Sequence, residues 1–152
     1  MKKTLVFLFV VLIAGVSLYA QVSYEELLRA DLKAQKVAIV TGAMQLTDAQ
    51  SQIFWPIYRK YDAELTTFND QRIALIKDYA ENFDKMTDSK ADFLTKEVFS
   101  LLGKRLKLQE KYYGEFSKAL GAILAAKFMQ VERQINALID LQIASELPLI
   151  NK

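Results

Sequence analysis

The chain has 152 residues, of which 52% are hydrophobic and 25% charged, and its formal net charge is +2. This apolar content suffices for a packed core and excludes a disordered chain, while the weak charge excludes a strong electrostatic pull toward nucleic acid. Cys and His are both absent, which excludes disulfides, a thiol nucleophile, an imidazole base and the ligand types on which most zinc, copper and nickel sites draw.

Residues 1–20 have the three-part layout of a secretory signal peptide. Lys2 and Lys3 give a basic start, Thr4 to Leu18 run almost without polarity, and Tyr19-Ala20 closes the segment with a small residue. The apolar run is short for a spanning helix, which needs about 20 residues. An uncleaved anchor is the alternative. Removing Lys2 and Lys3 leaves 18 basic against 18 acidic residues, so the mature chain, 21–152, is expected to be a single helical domain without net charge. The expected location is the periplasm, or the exterior where the source has no outer membrane, with no stable membrane insertion once the signal is removed.

Only 5 Gly and 2 Pro punctuate the chain. A many-stranded fold needs more turn residues than that, so a few long helices are predicted. Ser23 and Glu26 form a capping box for the first helix. Leu27, Leu28, Leu32 and Ile39 supply its apolar stripe, and Gly42 is predicted to end it. Thr47 and Gln50 form a second capping box, with Asp48 placed against the helix dipole. The helix that follows is predicted to reach about Phe83. Its stripe, Phe54, Tyr58, Tyr61, Leu65, Phe68, Leu75 and Tyr79, steps by threes and fours, with Arg72 filling one step. Pro56 lies inside this helix and is expected to bend it.

Thr87, Asp88 and Ser89 offer caps for a third helix to about Ala119. Leu94, Val98, Leu101, Leu108, Tyr112 and Phe116 form its stripe, interrupted by Arg105. Gly103 and Gly114 would allow a neighbouring backbone to approach closely. After a break at Leu120-Gly121-Ala122, a fourth helix carries Leu124, Phe128, Val131, Ile135, Leu138 and Leu141 until Pro148 stops it. The resulting expectation is an all-α, four-helix extended hairpin with a kinked long second helix. Thin amphipathic helices bury little surface alone, so a homodimer is expected.

No phosphate loop and no nucleophile elbow occur, and the scattered carboxylates define no shared pocket. The chain therefore reads as a non-enzyme without cofactor or metal. Two features could serve binding. Phe54, Trp55, Tyr58 and Tyr61 form a wide apolar surface, read either as core or dimer interface or as an exposed groove for apolar segments of clients. Lys104, Arg105, Lys107 and Lys111 form a basic stretch, read either as pairing across the hairpin with acids of the second helix or as a face, with Lys104, Arg105 and Lys107, that steers acidic clients.

Leu46-Thr47-Asp48-Ala49-Gln50 matches the L-T-x-x-Q motif of the Spy/CpxP family of periplasmic stress proteins, which the chain resembles. It also resembles exported bacterial members of uncharacterised function, which share stretches like Phe54-Trp55-Pro56-Ile57-Tyr58, Leu75-Ile76-Lys77-Asp78-Tyr79 and Phe128-Met129-Gln130-Val131-Glu132. This likeness extends over nearly all of the mature chain. The resemblance implies a cradle-shaped antiparallel dimer and ATP-independent chaperone activity on unfolded envelope proteins. The alternatives are a regulatory partner of an envelope sensor protein and a structural helical component. A second L-T-x-x-Q is missing before the last helix, where Ala119-Leu120-Gly121-Ala122 stands, and the His and Cys of metal-responsive relatives are missing too.

Overall fold

The computed structural model describes residues 33–150. The signal segment, the Ser23/Glu26 capping box and the first leucines of the stripe lie outside the described residues. The chain divides into two compact units, Met1–Gly42 and Ala43–Lys152. Among the described residues the fold is all-α, with four helices. No helix among these residues is long and apolar enough to cross a membrane.

Helix α1 covers 33–44. It runs through Gly42 rather than ending there, because glycine permits a helix to stop without compelling it. The stop comes at Gln45, whose backbone turns left-handed with φ 50°. Helix α2, Asp48–Asn82, begins at Thr47 as the capping box requires. The Thr47 hydroxyl accepts from the Gln50 N–H at 3.3 Å, and the Thr47 N–H donates to Gln50 Oε1 at 3.0 Å. The helix continues unbroken past Pro56. Gln52, whose carbonyl Pro56 leaves without its usual donor, is exposed, so water can satisfy it.

A 3-10 turn, Phe83–Lys85, leads to α3, Asp88–Leu120. Thr87 caps it by accepting from the Lys90 N–H at 3.2 Å. Gly103 and Gly114 do not mediate close packing, since a Cβ at either would meet open space. One residue, Gly121, separates α3 from α4, Ala122–Glu146. Its φ of 88° is a conformation that side chains disfavour, which is why a glycine stands there. Pro148 follows the end of α4 as expected.

Pairs across the second unit give its topology. Phe54 meets Phe116 and Glu64 meets Lys111, so α2 and α3 are antiparallel. Phe116 meets Phe128 and Arg105 meets Asp140, so α3 and α4 are antiparallel too. Helix α3 packs on both neighbours. By contrast, no Cα of α2 lies within 8 Å of a Cα of α4. These two helices meet only through long side chains, and what fills the gap between them changes along the bundle.

Candidate functional site

At the end of the bundle nearest Thr47, aromatic rings fill the gap. Phe54, Phe116 and Phe128 are fully buried, with ring centroids 4.7–5.2 Å apart. Tyr61 packs edge-on against Tyr112 at 5.3 Å and Phe128 at 5.8 Å. Inside this aromatic core lies Glu132, also fully buried. Its Oε1 accepts from the Tyr61 hydroxyl at 2.7 Å and from the Asn136 amide at 3.2 Å. Burial, and then the neighbouring Glu132, push the Tyr61 hydroxyl far above the ordinary tyrosine range. Burial, with Asp62 and Glu132 adding to it, does the same to Tyr58, whose hydroxyl is buried without a hydrogen-bond partner among the described residues.

These positions revise the reading of the aromatic cluster. Phe54, Tyr58 and Tyr61 are core residues, unavailable to a client while the bundle is closed. They step along α2 by four and three, which keeps them on the face turned to α3 and α4. Trp55, one residue off that face, is half-exposed and stacks edge-on against Phe54 and Tyr58 at its margin. The motif residues Leu46, Thr47 and Gln50 lie at the start of α2, where Thr47 and Gln50 cap the helix.

Beyond Phe68 the core opens. No residue of α2 after Phe68, and none of α4 after Ile135, is fully buried. The gap is crossed instead by charge. Arg72 Nη1 lies 2.7 Å from Asp140 Oδ1, and Arg105 forks onto both oxygens of the same carboxylate at 3.3 and 3.0 Å. The Arg105 guanidinium also lies over the Phe68 ring, 5.7 Å from its centroid. Burial pushes the Asp140 carboxyl up, but the Arg105 hydrogen bonds and the charges of Arg105 and Arg72 outweigh it and hold the carboxyl below its usual range.

On the far side of this cluster lies a cleft of about 460 Å³ between α2, α3 and the end of α4. Leu75, Ile76, Val98, Ile143 and Leu147 are among its walls, and the tail from Pro148 to Ile150 forms part of its rim. The Tyr79 hydroxyl donates to the Pro148 carbonyl at 2.6 Å and so holds the tail in place.

Within the basic stretch only Lys111 is seen to pair with an acid of α2, and the partner of Arg105 lies on α4 instead. Arg105 is committed to Asp140 on α4, while Lys111 pairs with Glu64 on α2 at 2.6 Å. Lys111 and Tyr112 together hold the Glu64 carboxyl below its usual range. Lys104 and Lys107 remain exposed, Lys104 reaching Gln71 at 3.4 Å.

A second apolar surface was not apparent from the core stripe. Phe99, Leu102, Leu106 and Tyr113 step along α3 by three, four and seven, and all four are exposed, Phe99 at 66% and Leu106 at 56%. They lie beside the core face, and with Met129 and Ala137 several of them border a shallow groove between α3 and α4. Their spacing was a readable signal, masked by the stripe next to it. Leu138 and Leu141, placed on the core stripe of α4 by spacing, are instead 68% exposed. Two successive steps of three from Ile135 turn them out of the core, since each falls about 60° short of a full turn.

Among the described residues no group of three or more acidic side chains is placed to hold a metal ion. A scan against protein-family models, a search of the curated proteins and a search of the solved structures each return no match.

Proposed function

We propose that the protein is an exported, ATP-independent chaperone-like binder of unfolded or partly folded envelope proteins, as its Spy/CpxP-like motif suggests. The observation that carries this reading is the exposed stripe Phe99–Leu102–Leu106–Tyr113. Surfaces of this kind mark sites where apolar segments of other proteins dock. The stripe replaces the buried aromatics of α2 as the client-contacting surface, with Lys104 and Lys107 exposed on the same helix to attract acidic segments. Helical spacing suits an extended or helical client segment laid along α3.

The test is suppression of aggregation of a chemically unfolded client by the purified protein. Leu106→Glu should weaken suppression while leaving helicity unchanged. Absence of suppression by the unsubstituted protein at several-fold molar excess sinks the proposal.

The spacing by threes and fours favours one further reading, in which a second copy covers the stripe. Light scattering separates the two. A dimer that Leu106→Glu converts to monomer, with no suppression by either form, marks the stripe as a subunit contact. Recovery of one stoichiometric envelope protein would favour a regulatory partner of a sensor instead.

A further inference from the structure

The cleft beyond Arg72 and Arg105 differs from the stripe on α3 in shape and in charge. It is an inward-facing slot, walled on three sides by apolar side chains. Its volume lies within the range of about 300–1,000 Å³ usual for small-molecule sites. Along α3 its walls run from Ala91 to Arg105, a span of about 20 Å at the helical rise. The slot is therefore long and narrow.

Among the described residues the only charged side chains in its walls are Arg72, Arg105 and Asp140, grouped at the end that abuts the aromatic core. Two guanidiniums against one carboxylate leave a single uncompensated positive charge there. Arg105 spends its fork on Asp140, whereas Arg72 engages Asp140 through Nη1 alone, and its other N–H groups have no partner among the described residues. A guanidinium with idle donors beside an apolar wall is suited to a planar monoanion. A dianionic phosphate would overshoot the charge and be repelled by Asp140.

We propose that this cleft binds a free fatty acid, with its acyl chain along the Leu75, Val98 and Ile143 walls and its carboxylate on Arg72 beside Asp140. Apolar length, one-ended charge and a net charge of one sign together specify a single-chain carboxylate. The cleft shares Leu102 with the stripe on α3, but Leu106 and Phe99 do not line it, so a change at Leu106 separates the two sites.

Calorimetric titration of the purified, delipidated protein with octanoate, decanoate and laurate, each below its micellar concentration, tests this. Affinity should rise about fourfold for each added methylene while the chain still finds apolar wall. Dodecyltrimethylammonium, of equal chain length and opposite charge, should bind at least about tenfold more weakly than laurate. Arg72→Met should weaken laurate about tenfold, and Asp140→Asn should tighten it, because the ligand then meets both guanidiniums without a competing carboxylate. The opposite signs guard against loss of fold, which would weaken binding in both variants. Ala144→Phe should obstruct the slot, and Leu106→Glu should leave laurate binding unchanged. Affinity independent of chain length, equal binding of laurate by Arg72→Met and the unsubstituted protein, or weakening by Asp140→Asn would each overturn the proposal. So would displacement of laurate by an apolar peptide whose own binding ignores Arg72, since the occupant would then be a protein segment.

Discussion

Tyr61 on α2 donates a 2.7 Å hydrogen bond to Glu132 on α4, and both side chains are removed from water. Three residues earlier, Tyr58 buries its hydroxyl against the same core without a partner among the described residues. Two tyrosines on one helix face thus have opposite polar circumstances. Tyr61→Phe withdraws a donor from a buried carboxyl and should cost about 2 kcal/mol. Tyr58→Phe removes an unsatisfied group and should be neutral or stabilise by up to about 1 kcal/mol. Urea denaturation of the two variants checks the difference in sign.

Mutational sensitivity should follow the change from filled to open core. Phe128 touches Phe54, Tyr58, Tyr61 and Phe116, so Phe128→Ala should cost about 3–5 kcal/mol. Leu75 is only half-buried at the cleft wall. Leu75→Ala should cost about 1 kcal/mol, since part of its surface is already wet. Similar losses at the two sites in thermal unfolding would contradict the described asymmetry.

Asp140 should give the bundle a definite acid response. Its carboxyl titrates below the unfolded value in the folded chain. The stabilisation it contributes is therefore fully present above the unfolded pKa and is lost as pH falls through the lower folded one. About a third of the carboxylate is exposed, so after discounting for water the loss in Asp140→Asn at pH 7 should be about 1 kcal/mol. That penalty should shrink when unfolding is repeated at pH values below the ordinary carboxylate range, as the pH falls toward the lowered folded value and the unsubstituted carboxyl is itself protonated.

The capping box makes a local prediction. Thr47→Ala should cost about 1 kcal/mol. Gln50→Ala added to it should cost less than it does alone, because the two side chains satisfy each other's backbone groups. A double-mutant cycle by urea denaturation measures the shortfall, and strict additivity would rule out the reciprocal pair.

The helices were legible because their signals are local. Thr47 with Gln50, Thr87 and Gly121 each act within a few residues of themselves, and the α2 stripe from Phe54 to Phe68 is buried as its spacing requires. Gly42 misled because a residue that permits a turn was read as one that makes it. The site was less legible. Arg72 and Arg105 were visible as charged interruptions at core positions of two helices, which implies an acidic partner, yet nothing local points to Asp140 as that partner. Glu132 stands four residues after Phe128 and three before Ile135, a core position for which its type is unsuited. That mismatch could have marked it, but the approach of Tyr61 from α2 is not readable locally. The cleft was invisible for a different reason. Spacing reports which face of a helix is apolar, not how far apart two helices stand.

The single-residue joint at Gly121 bears on how the chain reaches its fold. It brings the start of α4 back along the end of α3, so Phe116 and Phe128 meet across only a short loop, and closing that loop costs little entropy. The α3–α4 pair is thus the natural first piece to assemble, with Phe54 of α2 arriving later from a greater distance along the chain. Gly121→Ala would strain the joint where assembly starts, and such a change slows folding more than it speeds unfolding.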